Sequence, residues 1–378
     1  MKADAYGHGA VPVARALEAA GADGFCVAAY DEAVELRRGG IRRPILVLYG
    51  APPSLVGDAA RRRIVLSVGD ARLVDPVLEA AAAIRTGPRL RVELEVETGL
   101  GRSGLERGEL LRAAGAVGAE PRATLAGVWT HLQAPDDARR TSIQVERFER
   151  ALADLRAAGI PTSRRHLIAS GGLVAGIRPA FDAVRPGLAV YGIVPEDVVG
   201  LGSAGDVRAL RAVLTLKARP VRVVELPTGW GISYGPTFET PRPSRIATLP
   251  LGYGDGWSRS LSNRADALVR GVRAPIVGTV SMDAIMVDVT DVPGPPVDLD
   301  DEFVLIGAQG DERIDALDLA RRRGTITWEV VTALARRLPR VYDDSSGAVG
   351  LRTLSSGFTW HESSSGTATS ATSRSMPS

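Results

Sequence analysis

Of the 46 basic side chains in this 378-residue chain only two are lysines, Lys2 and Lys217. An arginine stays charged at every accessible pH, so any reaction that needs an amine, such as Schiff-base formation with a carbonyl, has two candidates. Lys2 opens the stretch MKADAYGHG, in which Tyr6 and a Gly7-His8-Gly9 turn follow it. A lysine placed where a strand runs into such a turn can have its amine pKa depressed by burial or by positive neighbours. An arbitrary N-terminal lysine is more commonly a solvated surface group, and the adjoining tyrosine and Gly-rich turn weigh against that here. The excess of arginine over lysine in the chain as a whole reads as base-composition bias. Other reactive types are sparse. Cys26 is the single cysteine, which excludes an internal disulfide and a thiolate zinc site. The four histidines, at 8, 131, 166 and 361, lack metal-ligand spacing, so no metal centre is expected.

The elements that must position Lys2 are legible as an alternation. Apolar runs at 25–29, 45–48, 64–67, 91–96, 124–129, 166–168 and 183–190 read as strands. Helical patterns at 11–20, 31–38, 75–83, 109–117 and 142–158 separate them. Seven apolar runs separated by helices imply βα repetition with a parallel sheet. The stub Lys2 to Ala5 reads as the end of an eighth strand. Eight units in about 200 residues suit a (β/α)8 barrel, whose active site lies at the C-terminal ends of the strands. An open doubly wound sheet is the alternative. From about residue 205 the texture changes to short β-rich runs punctuated by Gly and Pro, with helical patterns only at 314–322 and 328–337. The expected organisation is an α/β barrel over 1–204 with its first strand clipped, a mostly β domain over 205–353, and a Ser/Thr-rich tail over 354–378. That tail cannot bury enough apolar surface to order itself.

Bulk properties exclude several function classes. The chain is 45% hydrophobic and 24% charged, an ordinary globular composition. Its net charge of +2 gives no electrostatic footprint for nucleic acid or an anionic membrane. No apolar stretch approaches a membrane span and no signal segment opens the chain. A soluble, cytoplasmic protein is expected.

Six motifs in order carry a resemblance. They are KADAYGHG from Lys2, VETGLGRSG at 96–104, VRPGLAVYG at 184–192, GISYGPTF at 231–238, PLGYGDGW at 250–257 and GTVSMD at 278–283. Together they make the chain resemble the alanine racemase family, barrel-type enzymes dependent on pyridoxal 5'-phosphate (PLP). The resemblance implies a homodimer whose active site is shared between one subunit's barrel and the β domain of the other. It implies that Lys2 binds PLP covalently and serves as the base on one face of the substrate Cα, with Tyr234 of the second subunit as the base on the other. His131 and Arg185 would form a chain behind Tyr234, and Arg185 would face the pyridine nitrogen of PLP. Tyr6, Ser170 and the backbone near Gly187 and Leu188 would hold the phosphate. Arg102 and the Met282 amide would hold the substrate carboxylate, and Tyr253 and Asp283 would line the entry.

Four features depart from the family pattern. The chain starts one residue before the cofactor lysine, where family members carry a few dozen residues more; a start assigned too far downstream is the expected reason. Glu95 stands where many members have a carbamylated lysine, and as a fixed anion it could serve Arg102 unmodified. Ala169 replaces an asparagine. Trp328 replaces a tyrosine that reaches the phosphate, and an indole has only an N–H donor. The implied activity is interconversion of L- and D-alanine for peptidoglycan synthesis. The alternatives are a racemase of broader specificity and an inactive truncated homologue. A PLP decarboxylase of basic amino acids would want an acid at the pyridine nitrogen, which Arg185 opposes. A single-domain PLP carrier would lack the β module.

Overall fold

The computed structural model describes residues 1–199, 209–343 and 350–355. It opens with a short turn, α1 (Lys2–Gly7), then α2 (Ala10–Ala19), β1 (Phe25–Val27), α3 (Tyr30–Arg38), β2 (Ile45–Val47), α4 (Val56–Arg62) and β3 (Ile64–Val68). There follow α5 (Val74–Ala82), β4 (Leu90–Glu95), α6 (Arg107–Ala119), β5 (Ala123–Trp129), α7 (Ala138–Ala157), β6 (Arg165–Ala169), α8 (Ser170–Val174) and β7 (Ala183–Arg185). The seven strands form one parallel sheet in sequential order, a nearly closed barrel. β3 is buried along its whole length, as a parallel strand covered on both faces must be. Among the helices, α7 shows best why it forms. Asp137 caps its N-terminus by accepting from the Arg140 amide, and Thr141, Gln144, Phe148, Ala151, Leu152 and Leu155 recur at three- and four-residue spacing on its buried face. Phe148 is fully buried, edge-on to Phe181 at 5.3 Å. Truncating it to alanine should cost about 3–5 kcal/mol.

Two sequence expectations about the barrel need correction. The strand expected over 183–190 ends at Arg185, and Leu188–Tyr191 is a 3-10 turn. The stub Lys2–Ala5 is not a strand end. Ala3, Asp4, Ala5 and Tyr6 have φ of 52–55° and ψ of 41–51°, a left-handed helical turn. Such geometry costs an L-residue roughly 1–2 kcal/mol, so propensity gives no warning of it and neighbours must hold it. The Ala3 amide donates to Glu32 Oε1 at 2.6 Å and the Asp4 side chain accepts from the Ala10 amide at 2.8 Å. The Met1 amino group donates to the Cys26 carbonyl on β1 at 2.7 Å, setting the turn against the β1 side of the sheet.

The C-terminal domain is a second sheet built from β8 (Leu214–Ala218), β9 (Arg222–Leu226), β10 (Ser244–Leu249), β11 (Asp266–Val269), β12 (Val272–Val277), β13 (Ile285–Asp288), β14 (Phe303–Gln309), β15 (Glu312–Ile314), β16 (Arg340–Asp343) and β17 (Gly350–Ser355). Its order is β16-β17-β8-β14-β11-β12-β13-β10-β9, with β15 on β14. All the pairings are antiparallel except β17 with β8. Helices α9 (Ala316–Arg323) and α10 (Thr327–Thr332) follow β15. α10 stops at Thr332, five residues short of the sequence expectation. The boundary expected after residue 204 and the tail beyond Ser355 lie outside the described residues.

Candidate active site

The ends of the barrel strands converge on a cavity of about 1250 Å³. Lys2 and Tyr6 reach it from the left-handed turn, Arg102 from the loop after β4, and His131 from two residues beyond β5. Ser170 begins α8 directly after β6, Arg185 is the last residue of β7, and Gly187 and Leu188 follow it. Each of these eight lines the same cavity, mostly from the C-terminal mouth where a βα barrel places reactive groups. Trp328 of α10 and Ala169 line it too.

The two lysines part company here. Lys217 donates to Glu302 Oε1 at 2.6 Å within the second sheet. Lys2 faces the cavity, and burial, then the nearby Arg102 charge, hold its amine below the ordinary lysine pKa. The Tyr6 phenol is pushed above its usual range by burial, so it stays a hydroxyl donor. Beside it the Gly187 and Ala189 amides converge on Ser170 Oγ at 2.8 and 3.2 Å. A Cβ on Gly187 would overlap the Tyr6 hydroxyl, so only glycine permits this approach. Two hydroxyls and two amides in one corner form a set suited to a phosphate.

Arg185 organises the opposite wall. It donates to the Thr130 carbonyl at 2.8 Å, stacks 5.0 Å from the Trp129 ring centroid, and reaches His131 Nδ1 at 3.3 Å and His166 Nδ1. Arginine can only donate. Both imidazoles therefore accept on Nδ1 and carry their proton on Nε2. His166 Nε2–H donates to the buried Glu93 carboxylate at 2.8 Å. His131 is left with Nε2–H as a free donor type, and burial with the Arg185, Arg102 and Lys2 charges lowers its pKa to about 3. It is a neutral hydrogen-bonding group here.

The sequence analysis missed Glu93, His166 and Trp129. One signal was available: Glu93 and Glu95 sit two apart on β4, and period-2 geometry points both to the same face. Both are buried, Glu95 at 3% exposure. Glu95 accepts from Ser103 Oγ at 2.5 Å and lies 3.5 Å from Arg102 Nη2. Burial raises its pKa, with Ser103 and Arg102 opposing.

Tyr234, Tyr253, Met282 and Asp283 are absent from the cavity lining. They share a face of the C-terminal domain, where the Ser233 hydroxyl donates to the Thr279 carbonyl, the Tyr253 amide to Ser281 and the Gly254 amide to Met282. Tyr234 is 76% exposed, Met282 54% and Tyr253 43%. Asp283 is tied at 2.6 Å to Arg337, which also clasps the buried Asp255.

Family models for the alanine racemase N-terminal and C-terminal domains match residues 1–195 and 213–342. The chain belongs to the alanine racemase family. It is 44% identical over 348 residues to the alanine racemase of Symbiobacterium thermophilum, covering 90% of this chain and 89% of that one. The Sorangium cellulosum alanine racemase is 41% identical over 351 residues, with 90% of each covered. Among solved structures, the Bacillus anthracis alanine racemase with bound L-Ala-P superposes with a TM-score of 0.83 at 34% identity, over 92% of this chain and 88% of that one. The Streptomyces lavendulae alanine racemase gives 0.82 at 33%, over 94% and 90%. In all four the similarity spans both sheets, so it takes in the cavity and the exposed tyrosine face alike.

Proposed function

We propose that this racemase-family protein is a PLP-dependent alanine racemase that interconverts L- and D-alanine in a site shared by two copies of the chain. The observation that carries this reading is the split just described: one lysine, a phosphate-type corner and the arginines Arg102 and Arg185 around one cavity, with the second proton-transfer candidate on an exposed face elsewhere.

The residues present fit PLP. Lys2 would hold it covalently, the Tyr6–Ser170–Gly187–Leu188 corner would take its phosphate, and Arg185 would donate to its ring nitrogen. When bound, PLP supplies the electron withdrawal that acidifies the Cα–H of an amino acid. This chain's residues do the rest. Arg102, steadied by Glu95, holds the substrate carboxylate together with the Met282 amide of a second copy. Lys2, its amine pKa already lowered, takes or returns the Cα proton on one face. Tyr234 from the second copy does so on the other, where the neutral His131 Nε2–H would donate to its phenolate oxygen. Tyr253 and Asp283 of that copy line the entry. Since an arginine stays charged and cannot accept, Arg185 would leave that ring nitrogen without a proton. An arginine there would thus damp the electron withdrawal and favour prompt return of the proton over transamination.

A two-fold homodimer brings each exposed tyrosine face to the other chain's cavity. No helix among the described residues is long and apolar enough to cross a membrane. A cytoplasmic supply of D-alanine for peptidoglycan is the cellular role this reading implies. The test is chemical. The full chain incubated with PLP, reduced with borohydride and mapped by peptide should carry its label on Lys2, and it should convert L-alanine to the racemate. Label on Lys217 would overturn the assignment.

A further inference from the structure

Arg340, the first residue of β16, lies in the C-terminal domain, yet its guanidinium reaches the turn that carries Lys2. Its side chain is 9% exposed, and all five of its N–H groups have acceptors. Nε and Nη2 donate to the Gly7 carbonyl at 3.0 and 2.9 Å. Nη2 also donates to Leu334 O at 3.2 Å, and Nη1 to Leu338 O at 3.1 Å and Ala335 O at 3.3 Å. The Asp4 carboxylate is 3.9 Å away. Two residues along β16, the Tyr342 hydroxyl donates to the His8 carbonyl at 3.1 Å. The fit is close: a Cβ on Gly7 would overlap the Val331 carbonyl oxygen, and one on Gly9 would overlap the Tyr342 hydroxyl.

The left-handed residues of this turn are Ala3, Asp4, Ala5 and Tyr6. Alanine and tyrosine have no local reason to adopt positive φ. What holds them must come from outside, and the largest single contribution on the second-domain side is Arg340. We propose that Arg340 is a positioning residue: the C-terminal domain locks the cofactor turn through it, so that Lys2 and Tyr6 face the cavity together. This rests on the reading of Lys2 and Tyr6 as PLP-holding groups. A lysine at 340 would keep the charge but offers three donors on a flexible stem, which cannot span five carbonyl contacts.

The experiment uses the full-length Arg340→Lys protein beside the parent, with amide hydrogen exchange before PLP addition and PLP titration after. The expected result is at least tenfold faster exchange at Ala5, His8 and Gly9. Exchange in β2, β4 and β12 should be unchanged, and the PLP concentration for half-saturation should rise at least tenfold. Unchanged exchange at the turn overturns the proposal, and so does uniform acceleration across all strands, which marks a merely structural role. Tyr342→Phe removes one hydrogen bond to the same turn and leaves Arg340 in place. It should show the same local pattern at smaller amplitude, and its absence there also counts against the proposal. Failure of the parent to bind PLP would instead refute the cofactor reading and leave the exchange result standing on its own.

Discussion

Acid should loosen the Lys2 turn through His8. The His8 ring is fully buried and stacked on Tyr191 at 4.2 Å. Its Nδ1–H donates to the carbonyls of Tyr6 at 2.8 Å and Ala5 at 3.1 Å, fixing the tautomer, and Nε2 has no partner among the described residues. Protonation would add a buried charge and a donor with nothing to accept it, beside Arg340. Burial accordingly lowers the His8 pKa from 6.5 to about 4. Because the folded value lies below the unfolded one, the unfolded state binds more protons in this window. Stability is therefore complete above about pH 7.5 and is lost as pH falls from there toward 4. The two pKa values give a loss of about 2 kcal/mol by pH 5 and about 3 kcal/mol by pH 4 from His8 alone. His8→Asn keeps a donor near the Nδ1 position but does not titrate. It will be less stable at pH 7.5 for want of the stacked ring, and the informative quantity is the difference between pH values. Urea unfolding followed by circular dichroism at pH 7.5 and pH 5, at one protein concentration, should show the variant losing about 2 kcal/mol less than the parent. An equal loss in the two proteins would refute the reasoning.

Three further outcomes follow from the same geometry. Glu95→Gln should raise the KM for alanine without rescue by bicarbonate. Because burial raises the folded pKa of Glu95, its ionisation costs stability as pH climbs through the range above 4.5, so the variant should gain stability relative to the parent over that range; an unchanged KM would sink the proposed role. Glu93→Leu leaves the His166 Nε2–H buried without an acceptor and should lower the unfolding free energy by about 1–3 kcal/mol, with no loss counting against the Glu93–His166–Arg185 chain. Tyr234→Phe should bind PLP like the parent and lose racemisation by about 10²–10⁴-fold. It should still exchange the Cα proton of D-alanine with deuterium, and exchange confined to L-alanine would reverse the assigned faces.

Much of this molecule was legible in its sequence because its signals are local. The strand–helix alternation depends on short apolar runs and helical periodicity, and all seven barrel strands lie within or beside the runs that marked them. The left-handed turn at Ala3–Tyr6 was not legible, since it runs against the preferences of its own residues and is imposed by Glu32, Arg340 and Tyr342 from distant segments. Within the β domain, a short polar strand such as Glu312–Ile314 carries no alternation to detect. The site residues from motifs were found as types and spacings. Glu93 and His166 were not, because their role depends on strands β4, β6 and β7 lining one cavity, a relation three elements long. The exposed position of Tyr234 was readable only through the implied second subunit.

The shared site can be tested by mixing two inactive proteins. Lys2→Ala removes the proposed cofactor lysine and Tyr234→Phe the proposed second acid/base, each leaving the other residue intact. If every site combines Lys2 of one chain with Tyr234 of the other, a mixed dimer holds one site with both changes and one with neither. Random reassociation of equal amounts makes half the dimers mixed, so the mixture should recover about a quarter of the parent's alanine racemisation from two proteins that have almost none. A mixture no more active than its components, with mixed dimers demonstrated, would contradict the account.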